Sequence, residues 1–137
     1  MSEHLKAHKE GTLYFCTLTV VGWADVFTRK RNAEVIIESL AYCQKEKGLE
    51  LFAYVLMPSH LHLIGRVQEG RLSDVLRVFK SFTAKRLLEL IANESGESRR
   101  EWLMRLFREA AEGTNQNKAL MFWQKTNHPI EITHEAM

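Results

Sequence analysis

The hydrophobic pattern of the chain changes period in a definite order. Residues 13–21, from Leu13 to Val21, are rich in aromatic and β-branched side chains and predict a strand that ends at Gly22. Beyond Thr28, a favoured N-cap, the apolar positions Val35, Ile36, Leu40 and Cys43 keep helical spacing, which predicts a helix over 29–47 with Gly48 as its stop. Residues 49–57 return to a strand pattern, Pro58 and Ser59 break it, and residues 60–67 form a third strand running back beside the second. Ser73 is placed to cap a long helix reaching Asn93, with Leu76, Phe79, Phe82, Leu87, Leu90 and Ile91 on its inner face. Ser98 opens another amphipathic helix through Trp102, Leu106 and Ala110. Gly113 to Asn117 read as loop, and Ala119 to Gln124 as a fourth strand.

That order, β-α-β-β-α-(α)-β, predicts an α+β fold of the ferredoxin-like (split βαβ) kind. It has one antiparallel sheet with helices on one face, and one extra helix before the last strand. Residues 1–137 are expected to form a single domain, with no repeat, linker or low-complexity tract. Strand two, Leu51 to Met57, is apolar at every position, whereas a strand covered on one side alternates. Its second face is therefore expected to be covered, by a partner copy in a homodimer or by C-terminal structure; a short edge strand left partly exposed is the alternative.

Composition narrows this picture modestly. Hydrophobic residues make up 45% and charged residues 26%, as in an ordinary globular protein, and the net charge of +2 means that any nucleic-acid contact must use a local basic face. Cys16 and Cys43 sit in apolar surroundings without Cys-x-x-Cys spacing and read as reduced core thiols. The polar start Met1 to Lys6 and the lack of a long apolar run predict neither a signal peptide nor a transmembrane helix, hence a cytoplasmic protein.

Candidate chemistry centres on His60-Leu61-His62. On a strand, residues two apart point to the same face, so both imidazoles converge on one divalent ion while Leu61 and Leu63 face the core. Alone the pattern is weak, because most histidines are simply satisfied polar groups. Two histidines leave most of a coordination sphere open, which suits catalysis more than structural support. Arg77, Lys80 and Lys85 lie off the apolar stripe of the long helix and are candidates for gripping DNA phosphates. Trp23, Phe122 and Trp123 are candidates for stacking on unpaired bases, while Trp102 reads as core.

The Pro58-Ser59-His60-Leu61-His62 segment followed by the helix Leu72 to Thr83 closely resembles the HUH single-strand DNA transposases, and among them the REP-associated tyrosine transposases. The likeness extends over most of the chain, through Val20 to Arg29, Glu97 to Leu103 and Phe122 to Glu131. It implies a divalent metal, Mg or Mn, held by His60, His62 and a third polar ligand. It also implies a single-stranded DNA substrate beside a folded hairpin, and a tyrosine that attacks a phosphodiester to give a 5′-phosphotyrosine link and a free 3′-hydroxyl.

The sequence departs from that pattern in one respect. The family's tyrosine lies on a helix after the segment matching Phe122 to Glu131, yet Tyr14, Tyr42 and Tyr54 all precede it. Thr133 followed by His134, Glu135, Ala136 and Met137 resembles the start of that helix, so a form lacking its catalytic helix is expected. A frayed polar tail is the plainer reading of those residues. His128 is a weak candidate for the third ligand because it lies beside Pro129 in an expected turn. Two functions compete: a strand-transferring transposase domain without its nucleophile, and a DNA-hairpin-binding protein that does not cut. A hydrolase built on paired His-x-Thr motifs is set aside because the chain contains none.

Overall fold

The computed structural model describes residues 7–114 and 118–133. Strand β1 (Tyr14–Thr19) leads through two short 3-10 turns into helix α1 (Lys30–Glu46). Then come β2 (Glu50–Leu56), β3 (His60–Arg66), the long helix α2 (Leu72–Asn93), α3 (Arg100–Glu112) and a two-residue β4 (Ile130–Glu131). The strands form one sheet in the order β2-β3-β1-β4, with every neighbouring pair antiparallel. This is the expected α+β, ferredoxin-like arrangement, with α3 as the additional helix.

Alternation along the central strands separates the two faces of the sheet. In β3, Leu61, Leu63 and Gly65 are buried, while His60, His62, Ile64 and Arg66 are partly exposed. Direct pairing places Cys16 and Leu18 beside Leu63 and Leu61, and Thr17 and Thr19 beside His62 and His60. The first set joins Ile36 and Leu40 of α1, and Leu76, Phe79 and Leu87 of α2, in a single core. Both helices therefore cover the leucine face, and the histidine face carries no helix among the described residues. Sliding β3 by one position would expose Leu61 and Leu63, each worth about 1.5–3 kcal/mol when buried, so packing locks the histidines outward.

Helix ends differ from the sequence expectation. Thr28, Ser73 and Ser98 are not the caps; the helices start one or two residues away, after Arg29, Arg71 and Arg99, and no side chain caps them. Thr28 Oγ1 donates to the Asp25 carbonyl within the preceding turn, and Ser98 Oγ accepts from Arg29. Gly48 does stop α1: at φ 74° it lets the Leu49 N–H reach back to the Cys43 carbonyl at 3.2 Å. Cys16 and Cys43 are free and buried as expected, and burial pushes the Cys16 thiol up to about 12.

Two apolar assignments are corrected. Phe82 and Trp102, expected inward, are 59% and 50% exposed. Phe82 precedes buried Thr83, and Trp102 precedes buried Leu103, so each falls just outside the stripe its helix buries. The fourth strand is also displaced. Residues 119–124 are irregular apart from one bridge between Trp123 and Val20, and regular pairing with β1 occurs at Ile130 and Glu131. Between them, Gln124 N donates to Thr19 O and Thr17 N to Asn127 O, so residues 123–132 track β1 as an interrupted edge. Pro129 has no N–H, and His128 adopts φ 46°, which together break the ladder.

β2 is exposed on this chain: Phe52, Tyr54 and Val55 are all open, with a bulge between Leu51 and Ala53. No described residue supplies the expected cover, and the anticipated start of a helix at His134 to Met137 lies outside the described residues. Among the described residues no helix is long and apolar enough to cross a membrane.

Candidate functional site

β3 carries His60 and His62 onto the uncovered face, with ring centroids 4.7 Å apart and planes at 76°. Each ring is held at Nδ1 by a hydroxyl: Ser59 Oγ lies 3.0 Å from His60 Nδ1, and Thr17 Oγ1 lies 3.0 Å from His62 Nδ1. With the proton on Nδ1, each imidazole donates to its hydroxyl and leaves the Nε2 lone pair available. Burial, and then the neighbouring His62, lower the His60 pKa below its ordinary 6.5, so this ring is neutral at pH 7. Sequence reasoning missed Thr17 and Ser59. The available signals were a polar position alternating with Cys16 and Leu18, and a serine abutting the motif.

The donor set can be tested against a divalent ion. A ring nitrogen about 2.1 Å from an ion puts its ring centroid about 3.3 Å away, so two rings at right angles around one ion stand about 4.6 Å apart. The observed 4.7 Å fits. Among the described residues no cluster of three or more His, Cys, Asp or Glu completes the shell. His128 is exposed, and its backbone N–H donates to Thr126 Oγ1. The pair therefore fits as two imidazole donors of an incomplete sphere.

Aromatic rings extend the row on both sides. Phe15 stacks on His62 at 5.5 Å and 14°, and Trp23 meets His60 edge-to-face at 5.5 Å. Of the three predicted stacking residues, only Trp23 is open to solvent, at 65% exposure. Phe122 and Trp123 are buried. Trp123 Nε1 donates to Thr83 Oγ1 inside the protein, and Phe122 packs on Phe107, so both anchor the last segment to the helices and are not platforms for DNA.

The three predicted phosphate-binding residues have different surroundings. Arg77 and Lys85 are exposed on α2, which lies on the other side of the sheet from the histidines; Arg77 also pairs with Asp74 at 3.6 Å. Lys80 Nζ instead donates to Gln124 O at 2.7 Å, Lys125 O at 3.3 Å and Asn127 Oδ1 at 2.9 Å. All three ammonium donors are thereby directed at the irregular edge. Burial, with a smaller contribution from Lys118, lowers its pKa to about 8, so it remains mostly charged at neutral pH. Lys80→Ala should accordingly destabilise the fold by about 1–3 kcal/mol, because two backbone carbonyls and Asn127 lose a charged donor. Denaturant titration checks this, and an unchanged midpoint would return Lys80 to the solvated face.

No tyrosine stands on the histidine face. Tyr14 is buried beside Gly65, with its hydroxyl accepting from Lys9 N at 3.1 Å, and Tyr54 pairs with Leu63, so both point to the helix-covered side. Tyr42 is exposed on α1.

No protein-family model matches the sequence, and no curated protein does so either. Among solved structures, a REP-associated tyrosine transposase bound to a REP hairpin aligns with 98% of this chain at TM-score 0.62 and 15% identity. The chain spans 64% of that protein's length. A Deinococcus radiodurans R1 protein described as a transposase aligns with 62% of this chain and 68% of its own, at TM-score 0.48 and 19% identity. The sequence resemblance and the three-dimensional match therefore agree: this chain has the fold of a REP-associated tyrosine transposase.

Proposed function

We propose that the chain is a transposase-type nicking-and-joining domain for single-stranded DNA beside a hairpin, with His60 and His62 as its metal-holding pair. The observation that carries the reading is the pair itself: two imidazoles at ion-sharing distance on the uncovered face, each steadied by a hydroxyl, on a transposase fold. A divalent ion there, Mg²⁺ or Mn²⁺, supplies Lewis-acid polarisation of a phosphodiester oxygen. His60 and His62 would hold that ion, their rings fixed at Nδ1 by Ser59 and Thr17, on a sheet that presents no acidic side chain in the histidine pairing rows. The covalent step would need a tyrosine other than Tyr14, Tyr42 and Tyr54: its oxygen would bond to phosphorus as the P–O3′ bond breaks, the displaced 3′ oxygen would gain the proton, and the 5′ phosphate would stay on that tyrosine.

The positions of Tyr14, Tyr42 and Tyr54 favour a second reading for this chain by itself, as a hairpin-binding module that does not cut. Both readings require DNA binding. A labelled single strand carrying a hairpin should bind more tightly than the same length of full duplex. Arg77→Ala should weaken binding and reduce the magnitude of the salt slope by about 1 if that side chain neutralises a stem phosphate. Equal affinity for hairpin and duplex would remove both readings.

A further inference from the structure

We propose that Trp23 is a nucleobase platform: it takes one unpaired base of the DNA strand and stacks it beside the phosphate that His60 and His62 address. The inference rests on the transposase reading for its ligand but on separate observations for its site. Trp23 is the most exposed large apolar side chain among the described residues, and its ring is 5.5 Å from that of His60. Its backbone is held at φ 55°, a left-handed conformation unusual for a bulky side chain and one that proteins retain chiefly at functional positions.

The surroundings keep it there. Trp23 N donates to Val20 O at 3.0 Å, and Val20 N in turn donates to Ser59 O at 2.9 Å, the residue that also holds His60. Phe27 N donates to Pro58 O at 3.0 Å. The Trp23 turn and the His60 strand start are thus tied together from both ends. Preceding it, Gly22 at φ 63° sits so close to α3 that an added Cβ would meet Leu106 Cδ1 at 2.8 Å. Beyond it, Arg99 bonds Asp25 Oδ1 at 2.5 Å and buried Glu97 at 3.0 Å, pinning the loop to the segment that leads into α3. A rigid loop that projects a strained, solvent-facing indole is poorly explained by packing, since the ring buries little. It is well explained by a flat apolar ligand that arrives from solvent, and every nucleobase has such a face.

The test uses the full chain with Trp102→Phe as the background, which leaves Trp23 as the only exposed indole because Trp123 is buried. Titration with a hairpin-bearing single strand in EDTA should quench the remaining exposed emission. Trp23→Ala should weaken binding about tenfold or more, and Trp23→Phe should restore most of it. Replacing the strand's bases one at a time by abasic sites should reproduce the loss at a single position. Unquenched emission together with unchanged affinity overturns the platform and leaves the transposase reading intact. Failure of the parent to bind single strands at all overturns both. Retained affinity in Trp23→Ala with Phe no better than Ala also overturns the platform.

Discussion

Replacing His60 and His62 together by alanine is expected to abolish Mn²⁺ binding while leaving the fold in place. Both side chains are partly exposed and contribute no core volume, so the stability cost should stay within about 1 kcal/mol, as for surface substitutions generally. The metal effect should be far larger, because the two imidazoles are the donors that this face brings side by side. Thr17→Val keeps the side-chain shape and removes the hydroxyl on His62 Nδ1, and loss of such an outer partner typically costs about 10–100-fold in metal affinity. Mn²⁺ titration followed by electron paramagnetic resonance measures both effects, with circular dichroism as the folding control. Unaltered Mn²⁺ affinity in the double alanine variant would sink the metal assignment.

Much of this arrangement is legible in the sequence because it rests on period alone. Alternation of Leu61 and Leu63 with His60 and His62 is enough to place the histidines outward, since exposing the leucines would cost more than any polar contact could return. Element order likewise yields the four-stranded antiparallel sheet and the extra helix. The features that sequence reasoning misplaces are decided by tertiary contact. Phe122 and Trp123 have the composition of a strand, but Trp123 is fixed by Thr83 forty residues away in sequence, and no local signal records that bond. Lys80 falls on the polar side of its helix by spacing, yet the irregular edge at Gln124 to Asn127 folds over it and turns a surface cation into an internal clamp. Trp102 and Phe82 mislead for the opposite reason: helical periodicity tolerates an aromatic residue one position off the buried stripe, where half its surface remains in water. Alternation with Cys16 and Leu18 marks Thr17 as a polar outward position, but its partner is set by β1 lying beside β3, a pairing between residues 45 apart in the chain.

Incubated with a labelled hairpin strand and Mn²⁺, the 137-residue chain is expected to yield no protein-linked DNA on a denaturing gel. A covalent product needs a tyrosyl oxygen in line with the phosphorus, about 3–3.5 Å away. Tyr14 is buried on the other side of the sheet from His60 and His62, with its hydroxyl already accepting a backbone N–H. Tyr54 shares that side through its pairing with Leu63, and Tyr42 belongs to a helix packed there. Bringing any of the three to the histidine face would require unpairing a strand or detaching α1, at a cost comparable with the stability of the whole domain. Water can reach the exposed face, so slow hydrolysis without an adduct remains compatible with the site, because water gives no covalent link. Supplying a helix that bears a tyrosine, fused after Met137 or added as a separate chain, should restore the adduct if the metal-holding pair is competent. Replacing that tyrosine by phenylalanine should abolish it again. A protein-linked band from the unextended chain would instead point to Tyr14, Tyr42 or Tyr54, and three single phenylalanine variants would identify which of them reaches the phosphate.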